Sequence, residues 1–248
     1  MTDPSAPPWD GAPPLGVVVD LDDTLYPQAE YLAGAAVAVG RAATRLGLDG
    51  DAVAGALAAC LAAGSDAGGT IDRALLAVGV PETDLPGLVP PLVTAFTGHA
   101  PARLSPYPGV EAALRSLLAV VPVGCLTDGN PDIQAAKFAA TGLEIPFVVV
   151  TDALGGRAMR KPEPAGLTAL AGRMGVPAGR LLVIGDRPGK DVAVAAAVGA
   201  RAVRIRQGEY ASAPDVPQAW AVVDSFPAAA ALALSVLRRP AVAGHSSG

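Results

Sequence analysis

The chain has 248 residues, 51% of them hydrophobic and 17% charged, with a formal net charge of −5. That apolar content fills a globular core and excludes a disordered chain, while the negative balance and the lack of any Lys/Arg run exclude an electrostatic nucleic-acid surface. Two cysteines, Cys60 and Cys125, lie among apolar residues; they fit neither a disulfide framework nor a zinc spacing and read as buried free thiols.

Residues 1–14 contain Pro4, Pro7, Pro8, Pro13 and Pro14 and read as a loose tail. They lack the basic and apolar regions of a signal peptide, and no uncharged apolar run is long enough to span a bilayer. A cytoplasmic protein without a membrane or nucleic-acid partner is therefore expected.

Val17, Val18 and Val19 read as a strand buried on both faces, because consecutive valines leave no polar face. The strand runs into Asp20-Leu21-Asp22-Asp23-Thr24. By itself such a cluster is as readily a solvated turn or a helix cap as a site. From Pro27 to about Phe96 the character changes to Ala-, Leu- and Val-rich helical patterns. Helices are expected from Pro27 to Leu46, from a cap at Asp51 to Ala63, over 70–78 and over 88–97, with Gly47 and Gly64 as stops. Helices without strands, following directly on a first strand, read as an inserted cap at 27–98. Pro101, Pro106 and Pro108 mark the return linker.

Beyond the linker the pattern becomes βα alternation. Helices are expected at 109–119, 131–140 and 162–174, and strands at 121–126, 147–150, 181–184, 202–205 and 221–223. This implies an α/β fold, a Rossmann-like parallel sheet covered by helices, with the core domain formed by 15–26 and 99–240.

Polar clusters then fall where such strands end or where the next helix begins: Asp20/Asp22, Thr127-Asp128-Gly129-Asn130, Arg160-Lys161-Pro162 and Gly185-Asp186-Arg187-Pro188-Gly189-Lys190-Asp191. In a parallel sheet these positions converge on one edge. Asp20, Asp22, Asp186 and Asp191 would repel one another there, and a hard divalent cation with oxygen ligands, Mg²⁺ above all, resolves the conflict.

In order and context these motifs resemble those of the haloacid dehalogenase-like hydrolase superfamily, and the helical insert resembles its C1-type cap. The resemblance covers about residues 15–237. It implies Asp20 as nucleophile and Asp22 as general acid and base. Mg²⁺ would be held by Asp20, the Asp22 carbonyl and Asp186, and Thr127, Asp128 and Lys161 would form the phosphate site. Asp128 would serve there by orienting backbone N–H groups, and Asp191 would orient Lys161 or a metal-bound water. Dehalogenases of this superfamily lack the Asp22 equivalent, so its presence implies a phosphatase acting on a small phosphorylated metabolite. A phosphosugar mutase and a catalytically retired binding module remain alternatives, and no residue specifies the oligomeric state. His99 and His245 match no motif; His99 could touch substrate but reads more readily as a surface residue.

Overall fold

The computed structural model describes residues 12–66 and 68–237. Most of the expected N-terminal tail, the chain after 237 and His245 lie outside the described residues. The chain divides into two compact units. The first takes the described chain up to Tyr26, Pro106–Gln134 and the chain from Leu143 onward. The second takes Pro27–Ser105 and Ala135–Gly142.

The first unit is built on six parallel strands: β1 (Gly16–Val19), β2 (Val123–Thr127), β3 (Phe147–Val150), β4 (Leu181–Gly185), β5 (Arg201–Ile205) and β6 (Ala221–Val223), in the order β3-β2-β1-β4-β5-β6. β1 is central: the chain builds β2 and β3 on one side of it, then crosses from β3 to β4 and builds β5 and β6 on the other. Its C-terminal end is thus the crevice where ligands collect in open α/β sheets. Val17, Val18 and Val19 are fully buried, as a strand covered on both faces requires.

The second unit is helical: α1 (Gln28–Arg45), α2 (Gly50–Ala62), α3 (Thr70–Ala77) and α4 (Leu85–Thr97). Its core is Val39, Val53, Leu57, Ile71, Leu75 and Leu92. The cap of α2 is Asp49, whose carboxylate accepts from Ala52 N at 3.0 Å. The expected cap, Asp51, lies inside the helix. α4 begins three residues earlier than the apolar pattern indicates and runs through Pro90 and Pro91. Those prolines cost two backbone hydrogen bonds, but burial of Leu92 anchors the turn. Cys60 is half-buried and Cys125 buried, so the expectation of two buried thiols holds for Cys125 alone.

Five further helices follow among the described residues: α5 (Val110–Leu118), α6 (Pro131–Thr141), α7 (Ala165–Met174), α8 (Ala193–Ala197) and α9 (Phe226–Leu237). Leu167 and Leu170 of α7 and Val194 of α8 share one cluster with Val18 and Val183 of the sheet, while α9 packs on α5 and on β4–β6. β2 starts at Val123 rather than 121. Val121 N closes onto Leu117 O of α5 at 3.1 Å, and Pro122 has no N–H; its carbonyl instead accepts from Val17 N at 3.0 Å. α7 starts at Ala165 rather than 162, because Glu163 N first closes a turn onto Arg160 O at 2.9 Å and Pro162 and Pro164 cannot donate.

Candidate active site

Every expected site residue belongs to the first unit. Asp20 follows β1 directly, its N–H donating to Ile184 O of β4 at 2.9 Å. Thr127 ends β2, Asp186 follows β4, and Lys161 lies in the turn before α7. Asp191 lies in a π-helical turn, Pro188–Val192, that leads into α8. Such turns place a side chain where a regular helix cannot.

Lys161 joins these parts. Its ammonium Nζ lies 2.6 Å from Asp20 Oδ1 and 2.7 Å from Asp191 Oδ1, and also donates to Leu126 O at 3.3 Å. All three side chains are buried. Burial by itself would depress the Lys161 pKa, but the Asp191, Asp20 and Asp128 carboxylates outweigh it and hold it well above the ordinary value. The ammonium is therefore a fixed charge.

Asp191 has a partner at each oxygen, because its Oδ2 accepts from Arg187 N at 3.0 Å. Gly185 makes this possible: a Cβ there would overlap the Asp191 carboxylate. Asp186 is different. It is 1% exposed, yet neither carboxylate oxygen has a hydrogen-bond partner. Burial, then Asp191, Asp20 and Asp23, push its pKa well above the carboxylate range. Asp20 is pushed up to about 7, mainly by burial, with Lys161 opposing and Asp191 adding to the rise.

Oxygens of Asp20, Asp186 and Asp191 all lie within 4.8 Å of one another. Two bare, buried carboxylate oxygens beside a second buried carboxylate suit a hard divalent cation. Asp191 already has partners for both oxygens, so Asp20 and Asp186 are the pair best able to take a metal.

Asp128 serves as a brace. Its Oδ1 accepts from Thr151 Oγ1 at 2.9 Å and from Lys161 N at 3.0 Å, and its Oδ2 pairs with Lys190 Nζ at 3.1 Å. Asp152 supports the same loop, accepting from Gly129 N at 3.4 Å while gripped by Arg160 through two 2.7 Å bonds. Asp23 adopts a left-handed φ of 54°, a conformation Asp tolerates better than most residues. Its Oδ2 accepts from Glu209 N at 3.0 Å, while Gln207 Nε2 donates to its carbonyl at 2.8 Å. Gly208 is required there, since a Cβ would overlap the Asp23 side chain.

Asp22 is half-buried. Its Oδ1 accepts from the Tyr26 hydroxyl, and its Oδ2 from Gln134 Nε2 at 2.9 Å. Gln134 was not among the expected residues. The available sign was Asn130-Pro131, a helix start that puts Gln134 in the first turn after Thr127. Asn130 Oδ1 does cap α6, accepting from Asp132 N at 2.9 Å. His99 lies in the helical unit, half-buried rather than on the surface, with its ring 5.3 Å from that of Tyr31.

A buried aspartate held by lysine at the end of a central parallel strand, beside a bare aspartate at the end of the next, is an arrangement that could hold a metal ion. The family model for haloacid dehalogenase-like hydrolases matches residues 15–199, and the chain belongs to that family. It is 32% identical to the glyceraldehyde 3-phosphate phosphatase of Methanopyrus kandleri over 78% of this chain and 84% of that one. It is 38% identical to the phosphoglycolate phosphatase of Rhodospirillum rubrum over 50% of this chain and 52% of that one. Among solved structures, an HAD family hydrolase of Deinococcus radiodurans with bound phosphate and sodium shares the fold. It has a TM-score of 0.61 and 24% identity, covering 93% of this chain and 100% of that one.

Proposed function

We infer that the protein hydrolyses the phosphomonoester of a small metabolite with Mg²⁺ as cofactor. The observation that carries this reading is the pair of partnerless, buried Asp186 oxygens in the same cluster as Asp20. Two curated relatives named as phosphatases support the substrate class. Asp20, Asp186 and the Asp22 carbonyl would hold Mg²⁺, which supplies charge to offset the repulsion between an anionic nucleophile and an anionic phosphate.

The chain's own residues perform the transfers. The Asp20 carboxylate attacks phosphorus, forming an O–P bond as the ester P–O bond breaks. Asp22 gives a proton to the departing oxygen, so the leaving group departs as an alcohol. Asp22, now ionised, removes a proton from water. That water attacks phosphorus, returning the Asp20 carboxylate and inorganic phosphate. Lys161 holds Asp20 in place and, with the Thr127 hydroxyl and the N–H groups of the loop that Asp128 braces, receives the phosphoryl oxygens as charge redistributes. Asp191 keeps Lys161 oriented. The helical unit, encoded between the first two motifs, is assigned as a C1-type cap.

The test is phosphate release across a panel of phosphorylated metabolites, glyceraldehyde 3-phosphate and phosphoglycolate among them, with Mg²⁺ and with chelator. Release that requires Mg²⁺ is expected. Equal release with chelator, or none from any compound with Mg²⁺, would overturn the reading.

A further inference from the structure

We propose that Gln134 is a positioning residue that couples the proton-transfer carboxylate of Asp22 to the phosphate-binding hydroxyl of Thr127. The inference rests on the phosphatase reading above and adds to it a residue outside the family's motifs.

Gln134 is 2% exposed, and its Nε2 lies within hydrogen-bonding distance of two groups, Asp22 Oδ2 at 2.9 Å and Thr127 Oγ1. An ionised carboxylate only accepts, so the amide face turned toward Asp22 is the NH₂. That NH₂ has two N–H bonds, and the two partners take one each. Asp22 is 112 residues from Gln134 in sequence, and Thr127 is seven residues before it. One side chain thus ties the end of β1 to the end of β2.

Two consequences follow from the chemistry of these groups. First, the Asp22 carboxylate is held at both oxygens, by Tyr26 at Oδ1 and by Gln134 at Oδ2. Its plane is fixed, which general acid catalysis requires because the proton must point at the leaving oxygen. Second, the Thr127 hydroxyl already accepts a hydrogen bond from Gln134. Its single proton therefore remains available to donate to a phosphoryl oxygen. Gln134 is itself set by the backbone: its N–H donates to Asn130 O at 3.0 Å in the first turn of α6. A leucine at 134 would keep the helix and the apolar stem and remove only the bridge.

The test compares steady-state kinetics of wild type and Gln134→Leu with Mg²⁺ on two substrates. One is an alkyl phosphate, whose departing oxygen needs a proton; the other is p-nitrophenyl phosphate, whose leaving group departs without one. We expect kcat/KM on the alkyl phosphate, which reports on the first phosphoryl transfer and not on the common hydrolysis step, to fall by about 10–100-fold, and by a smaller factor on the aryl phosphate. The ratio of the two rates should shift by about tenfold. A merely structural role lowers the active fraction and scales both rates equally. Gln134→Met, with a side chain of similar length, reads the same ratio should the leucine variant fail to fold. An unchanged ratio in a folded variant, or unchanged rates on both substrates, would overturn the inference. A wild-type chain that released no phosphate from either substrate would instead sink the phosphatase reading, and this inference with it.

Discussion

Asp20 and Asp186 are both buried, but only Asp20 has a cation beside it. The two residues should therefore respond differently to neutral isosteric replacement. Asp20→Asn removes the carboxylate proposed as nucleophile and should lower turnover by at least about 10³-fold while the circular dichroism spectrum stays unchanged. Asp186→Asn removes a buried carboxyl that the metal-free fold holds protonated, at a cost whenever the unfolded chain would ionise it. In chelator, at a pH where Asp186 ionises on unfolding, the variant should melt about 2–6 °C above wild type, from roughly 1–2 kcal/mol of relieved desolvation and repulsion. The rise in Tm that Mg²⁺ gives wild type should be lost in that variant. A metal-free variant that melts lower than wild type would show that Asp186 is balanced by the chain itself.

The pH dependence belongs to the same residues. Burial raises the Asp20 carboxyl from 3.8 to about 7 in the metal-free protein. A raised folded-state pKa means the folded state binds more protons than the unfolded state. This group's contribution to stability is then fully present below 3.8 and is lost as pH rises through 7. Mg²⁺ held by Asp20 would compete with that proton, so a Mg²⁺-induced rise in Tm should grow from about pH 5.5 to about pH 8. Differential scanning calorimetry at the two values checks the sign; a larger rise at the lower pH would contradict it.

At the scale of elements, the segment after β5 supports the first motif. Gln207 and Glu209 bind the backbone and carboxylate of Asp23, and this segment is in turn pinned by Arg204 of β5. The Arg204 side chain is fully buried, pairs with Asp215 and donates to Tyr210 O at 2.8 Å. Asp215→Ala would leave a buried guanidinium without its carboxylate, and should destabilise the protein by about 3 kcal/mol in urea unfolding. A change within about 0.5 kcal/mol would show that the pair acts as an exposed ion pair. None of this brace was legible in the sequence. Nothing near Arg204 announces that its charge is inside, and its partners lie in a segment without periodicity. By contrast, Asp20, Thr127, Lys161 and Asp186 were legible because each stands at a strand end or a helix start, and those punctuation points show in a valine run or a proline. Gln134 carried the opposite signal. On a helix a lone glutamine reads as solvated, and only its approach to Asp22, 112 residues away, gives it a role.

For the whole molecule, the parallel sheet and the helical character of 27–98 followed from periodicity alone. The second unit, however, extends to Ser105 and takes in Ala135–Gly142. Leu104 N donates to Ala140 O at 2.9 Å, a tertiary bond that local pattern does not encode. No helix among the described residues is long and apolar enough to cross a membrane.

If Asp20 carries the phosphoryl group and Asp22 handles the proton, the covalent intermediate can be trapped in Asp22→Asn with p-nitrophenyl phosphate and Mg²⁺, stopped in acid and read by mass spectrometry of the peptide containing residue 20. The good leaving group departs without an acid, and the missing base slows release of the phosphoryl group, so it should accumulate as an acyl phosphate on Asp20. A phosphoryl group on another residue, or none despite release of p-nitrophenol, would contradict the account.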